Sequence, residues 1–201
     1  MSKTMLLLYI IVILLLLVGF RQITGRVELE PGMMVEDVPR QISLPKAENF
    51  QHQQMTITPL AEFSLQAKVL AKKRYFWGKA GKLAPYDFAL GWQQMSDQDI
   101  VQQFKISQSN RWYYWRARKL PLSKQEVIRS SSNMHLIPQN KAVAKKMRQA
   151  KIGQIISLDG YLVRAWDASG WNWQSSLSRQ DSGSNSCEVV FVKNFEIIIK
   201  K

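Results

Sequence analysis

Few of the residue types that carry chemistry are present in these 201 residues. There is one cysteine, and there are two histidines. A single thiol excludes an intramolecular disulfide framework. Together the three side chains are too few for a zinc site built from His and Cys alone, and no cofactor is expected. Neither a phosphate-cradling G-x-x-x-x-G-K-S/T loop nor a G-x-G-x-x-G turn occurs, and no G-x-S-x-G nucleophile elbow is present. Acids are scarce too: 15 stand against 28 Lys+Arg, a formal net charge of +13. Apolar residues still make up 46% and charged residues 21%, which excludes a disordered chain.

What the chain does have is unevenly spread. Residues 5–20, from Met5 to Phe20, form one uncharged run rich in Leu and Ile. As a helix it would measure roughly 24 Å, against a hydrocarbon core of about 30 Å. No small-residue cleavage site and no cysteine follow it, so the run predicts an uncleaved single-pass transmembrane helix in contact with the lipid bilayer. Residues 1–4 would be a short cytoplasmic tail. Lys3 on one side and Arg21 and Arg26 on the other hardly discriminate orientation. The short leading tail favours the cytoplasm, which would set the rest of the chain in the periplasm, on the bacterial inner membrane. Residues 21–55 carry Pro31, Pro39 and Pro45 and no core periodicity, and read as a stalk.

Residues 56–201 read as one basic domain. Glu62 to Val69 alternates polar and apolar, the period of a half-buried strand with Phe63, Leu65, Ala67 and Val69 inward. Ser123 with Glu126 fits a capping box, and Asn140 caps a helix through Lys141–Ala150. Asp159-Gly160 between two apolar runs predicts a two-residue hairpin turn. The fold class expected is α+β: a transmembrane helix, then one small β-rich domain, a curved sheet or partly closed barrel, with two or three short helices.

His135 and Cys187 are the one imidazole–thiol pair of the domain, and a thiolate nucleophile needs such a base nearby. Arg179 is the candidate for an oxyanion or carboxylate contact. Arg179 and Asp181, in a loop rich in hydroxyls, are candidates for holding an anion or a sugar, although the same hydroxyls can simply bond the turn. Trp112, Trp115, Trp171 and Trp173 lie among cations such as Arg111 and Arg116, a mixture suited to stacking on sugars, bases or peptides. Alternate aromatics also fill cores. Lys141, Lys145 and Arg148 share one helix face, which would suit anionic lipid headgroups or acidic polymers. Nucleic acid is not expected of a domain outside the cytoplasm, and no nucleic-acid motif occurs.

A histidine, then a hairpin, then a cysteine on a strand in a small anchored β-rich domain resembles the layout of sortases. The resemblance stops at layout: Cys187 follows Ser184-Asn185-Ser186, not Thr-Leu-x-Thr, and no arginine comes after it. Three stretches, Tyr86-Asp-Phe-Ala-Leu-Gly-Trp92, Ser132-Asn-Met-His-Leu-Ile-Pro138 and Ser175 to Glu188, resemble an uncharacterised family of small membrane-anchored bacterial proteins. That resemblance implies a cellular setting and no catalytic residue. The function expected is a binding or accessory module. The alternative is a membrane-tethered hydrolase or sortase-like transpeptidase using His135 and Cys187.

Overall fold

A computed structural model describes residues 5–13, 25–178 and 187–199. Residues 5–13 form helix α1. Among the described residues no helix is long and apolar enough to cross a membrane. The transmembrane helix expected over 5–20 is thereby corrected, and so are the single-pass signal-anchor, inner-membrane and periplasmic assignments that rested on it. An apolar run reports hydrophobicity, and the length of helix is a separate matter. Residues 14–20 of that run lie outside the described residues.

The segment expected as a stalk is laid along the domain from residue 25 onward. The Val27 amide donates to the Ile152 carbonyl, and the Val35 amide to the Ser96 hydroxyl, each at 2.8 Å. Leu29 and Val35 are buried in the main core. Strand β1 (Arg40–Ser43) pairs antiparallel with Ala61–Ser64, and β2 (Phe50–His52) with Met55–Ile57. Proline excludes helix here, but it does not exclude extended pieces that borrow a neighbour's hydrogen bonds.

That neighbour is β3 (Met55–Arg74), twenty residues long. One edge of β3 receives β2, β1 and then β4 (Tyr86–Gly91), which pairs with Lys68–Arg74. Its other edge receives β8 (Ile155–Trp166) along Thr56–Lys68. β4 continues to β7 (Ser131–Pro138), and β7 pairs in parallel with β10 (Glu188–Ile199). β10 pairs back onto β8, which closes a five-stranded circuit β3-β4-β7-β10-β8-β3. The inward residues Phe63, Leu65, Phe88, Met134, Leu158 and Phe195 fill it. Helix α5 (Lys141–Gln149), capped by Asn140, lays Val143 and Met147 against the same core. Lys72 donates to the carbonyls of Met147, Arg148 and Ala150, each at 2.8 Å, so its cation meets the negative end of that helix.

Asp159-Gly160 is not a turn. Both residues lie within β8, where Gly160 pairs with Phe63 on one side and Val192 on the other. A Cβ on Gly160 would stand 1.9 Å from the Phe191 carbonyl oxygen. The glycine is required by close backbone approach between β8 and β10.

Between β4 and β7 the chain makes an outer layer. It comprises a 3₁₀ turn (Gln93–Ser96), α3 (Gln98–Val101), the hairpin β5 (Lys105–Ser109) with β6 (Trp112–Arg116), and α4 (Lys124–Ser130). The Ser123–Glu126 capping box opens α4. Helix α2 (Gly78–Leu83) fills the β3–β4 connection, and the short strand β9 (Asn172–Gln174) follows β8.

Candidate functional site

The outward faces of β4 and β7 are buried and polar. Asp87 on β4 stands directly opposite His135 on β7. Both are buried, Asp87 fully at 0% exposed and His135 at 3%. Removing a carboxylate from water needs a compensating charge. That charge comes from Arg111, whose Nη1 is 2.5 Å from Asp87 Oδ1. The imidazole Nδ1 is 2.9 Å from the same oxygen but off the hydrogen-bond axis. Asp87 Oδ2 has no hydrogen-bond partner among the described residues.

Arg111 reaches this position through an unusual turn. Asn110 and Arg111 form the two-residue loop of the β5–β6 hairpin, with φ of 49° and 68°. Two positive φ values match the twist of a tight hairpin, but the second is a position that favours glycine. The arginine is held there by its contacts. Its amide donates to the Tyr75 hydroxyl at 2.9 Å, and Nη1 also donates to the Ala84 carbonyl at 3.0 Å. Its guanidinium lies 4.0 Å from the centre of the Tyr75 ring and 5.4 Å from the Trp173 ring. Burial raises the Tyr75 phenol above its ordinary range. Backbone strain accepted at one residue, and anchored from several sides, is characteristic of a built site.

Over this buried layer opens a cleft of about 810 Å³. Ala80 of α2 forms one margin, and Trp112 at the start of β6 another. His135 lies at its base, and the stretch from Trp171 to Leu177 makes the far wall, with Cys187 at the entry to β10. The imidazole packs 4.7 Å from the Trp173 ring, and Trp173 meets Trp171 edge to face at 6.1 Å. Beside the cleft, Lys79 bonds Asp167 at 2.5 Å and the Ser169 hydroxyl at 2.7 Å. The Lys79 hydrogen bond is the main reason the Asp167 carboxyl falls to about 2.

Of the residues singled out in the sequence, His135, Cys187, Trp112, Trp171 and Trp173 line this one cleft. Trp115 does not: it packs edge to face on Phe104 at 5.9 Å, under the hairpin. Arg179 and Asp181 lie outside the described residues. His135 meets Asp87 and Trp173, whereas the Cys187 sulfur lies 4.0 Å from both Asn133 Nδ2 and the Arg111 carbonyl. Sequence reasoning missed Asp87, and it read Arg111 only as a cation among the indoles, not as the partner of a buried carboxylate. A signal existed for Asp87, as the single acid in an otherwise apolar strand, Tyr86-Asp-Phe-Ala-Leu. No signal existed for the Arg111 pairing, because it depends on the hairpin folding back over β4.

No family model matches the chain, and neither the curated proteins nor the solved structures include a match.

Proposed function

We propose that the protein is a ligand-binding module, with the cleft over Asp87 and His135 as its binding site. The observation that carries this is where the cleft lies on the barrel. Counted as barrel strands, β3, β4, β7, β8 and β10 run first to fifth in chain order and close as 1-2-3-5-4-1. The third and fifth strands are parallel, and a helix joins the third to the fourth. This is the Greek-key circuit of the barrels that bind oligonucleotides and oligosaccharides. Such barrels bind on the second and third strands, between the loops joining strands 1–2 and 4–5. Here Asp87 and His135 are on those two strands, Ala80 is in the first of those loops, and Trp171 and Trp173 are in the second. Fold alone does not assign function. The residues of the cleft support the reading independently: indoles, neutral amides and a rigid charged base suit the recognition of ring-bearing ligands.

The test is a titration of full-length protein carrying ¹⁵N-labelled tryptophan, read at the indole N–H signals. Sugar, nucleotide and peptide oligomers are added in turn. Saturable shifts are expected at Trp112, Trp171 and Trp173, with Trp92, sealed in the barrel, unmoved. Absence of saturable binding by all three classes contradicts the reading.

A second reading has one observation in its favour. The Asp87 carboxylate stands 2.9 Å from His135 Nδ1, the side from which an acid orients a general base, although no hydrogen bond joins them, and Cys187 lines the same cleft. On that reading the protein is a hydrolase or transpeptidase using His135 and Cys187. Thiol alkylation of Cys187 that slows when His135 is changed to Ala, together with ester turnover lost in Cys187→Ala, would favour it over the binding module.

A further inference from the structure

We propose that the ligand of this cleft is a neutral chain of several sugar rings. The inference rests on the binding-module reading and names its ligand class. It starts from charge. The charges of the described lining are matched within the protein, Arg111 by Asp87, and beside it Lys79 by Asp167; Arg164, at the margin, turns its Nε to the neutral amide of Asn172. The rest of the described lining contains no lysine, aspartate or glutamate. A groove that follows a polynucleotide places cations along the phosphates, and its affinity depends on them. Here the surplus positive charge lies on other surfaces, such as the exposed face of α5 with Lys141, Lys145 and Arg148. Among the described lining residues no unpaired Lys or Arg faces the cleft to follow a phosphate chain, and Arg164 is a single cation at its margin.

The hydrogen-bonding capacity left over in the cleft is neutral. Gln174 is exposed, and its side chain bonds to nothing among the described residues. Asn172 accepts from Arg164 Nε at 2.7 Å through its oxygen, which leaves its amide N–H groups available. Ser175 and Ser176 spend their hydroxyl protons on the carbonyls of Ser176 and Ser178. Neutral amides that both donate and accept match sugar hydroxyls, which do the same.

Aromatic surface supplies the remainder. Trp173 is committed to His135 and Arg111, which makes it a wall. Trp112, 37% exposed, and Trp171 present indole to the cleft from different elements. Trp171 stands at 68° to Trp173, so these two rings cannot carry consecutive coplanar bases, whereas apolar sugar faces can each take a separate indole. Trp77, 90% exposed, precedes α2, about one helical turn before Ala80 at the cleft margin. A chain of several rings running out over that margin meets a further indole there, which a single ring would not reach.

The experiment is the indole titration of the full chain with three probes: a β-1,4-linked N-acetylglucosamine hexamer, a β-1,4-linked glucose hexamer and a thymidine 12-mer. At least one sugar hexamer is expected to shift Trp112 and Trp171 saturably. Its affinity should stay within about two-fold between about 50 and about 200 mM salt, since no counterions are released. Trp171→Ala should weaken it roughly five- to ten-fold while the Trp92 signal stays in place. Binding of the thymidine 12-mer alone at these indoles, with steep salt dependence, overturns the sugar assignment and leaves the binding module standing. Sugar binding indifferent to both Trp171→Ala and Trp112→Ala also overturns the assignment. If no probe moves a cleft indole, the sugar assignment falls, and ester turnover lost in His135→Ala would bring down the binding-module reading with it.

Discussion

Strands β4 and β7 have two faces, equally dry and built on opposite principles. Inward, Phe88, Leu90, Met134 and Leu136 are sealed in hydrocarbon. Outward, Asp87, Asn133 and His135 are almost as buried, but among charges and hydrogen bonds. The inner face is stabilised by transfer of apolar surface from water, which is non-directional and tolerant of detail. The outer face depends on particular partners: Arg111 for Asp87, and the Arg111 carbonyl and Gln108 for the Asn133 amide. The difference separates two tasks on one pair of strands. The inner face holds the barrel together, and the outer face, once covered by the β5–β6 hairpin, holds the base of a cleft rigid.

The largest loss is expected from the inner face. Phe88→Ala should cost about 3–5 kcal/mol by urea denaturation, from lost burial plus the cavity left behind. Arg111→Gly probes the outer face. It removes a turn strain worth about 1–2 kcal/mol. It also strands a buried carboxylate, so a net loss of about 3 kcal/mol is expected, partly restored by adding Asp87→Ala. A stabilised Arg111→Gly protein would show that the Asp87 pair contributes little. Gly160→Ala forces a Cβ into the Phe191 carbonyl and should cost about 2 kcal/mol, although alanine suits an ordinary strand.

The covering hairpin can be probed by pH. Burial raises the Tyr113 phenol to about 12. Its folded-state value lies above the unfolded one, so the folded chain holds the proton more tightly. The stability this gives is complete below about pH 10 and is lost as pH rises toward about 12. Tyr113→Phe should flatten that decline, and phenolate absorbance during alkaline titration follows the group directly. The smallest effect expected is at a distant cap: Asn140→Ala removes the bond to the Val143 amide and should cost about 1 kcal/mol without touching the cleft.

What was legible in the chain was local. The alternation through Phe63, Leu65, Ala67 and Val69 places all four inside the barrel. The Ser123–Glu126 box and the Asn140 cap form as their spacing predicts, because each is complete within four residues. What failed required partners far along the chain. Asp159-Gly160 carries the same signal whether glycine serves a turn or a close approach, and only the position of Phe191 decides. Residues 40–52 look like a linker until β3 offers an edge. The apolar run at residues 5–20 suggested a span, but among the described residues no helix is long and apolar enough to cross a membrane. Within the site, the indoles and His135 were visible as residue types. Their convergence depends on β9 and the β5–β6 hairpin meeting over β4 and β7.

The central claim is that the neutral cleft, and not the basic surface, is where this protein meets its ligand. One paired measurement tests it most directly: the affinity for the bound oligomer in Trp171→Ala and in Lys145→Glu, the second altering only the exposed face of α5. Roughly five- to ten-fold weaker binding in Trp171→Ala, with Lys145→Glu unchanged, is the predicted result. Loss of binding in Lys145→Glu, with Trp171→Ala unchanged, would contradict it.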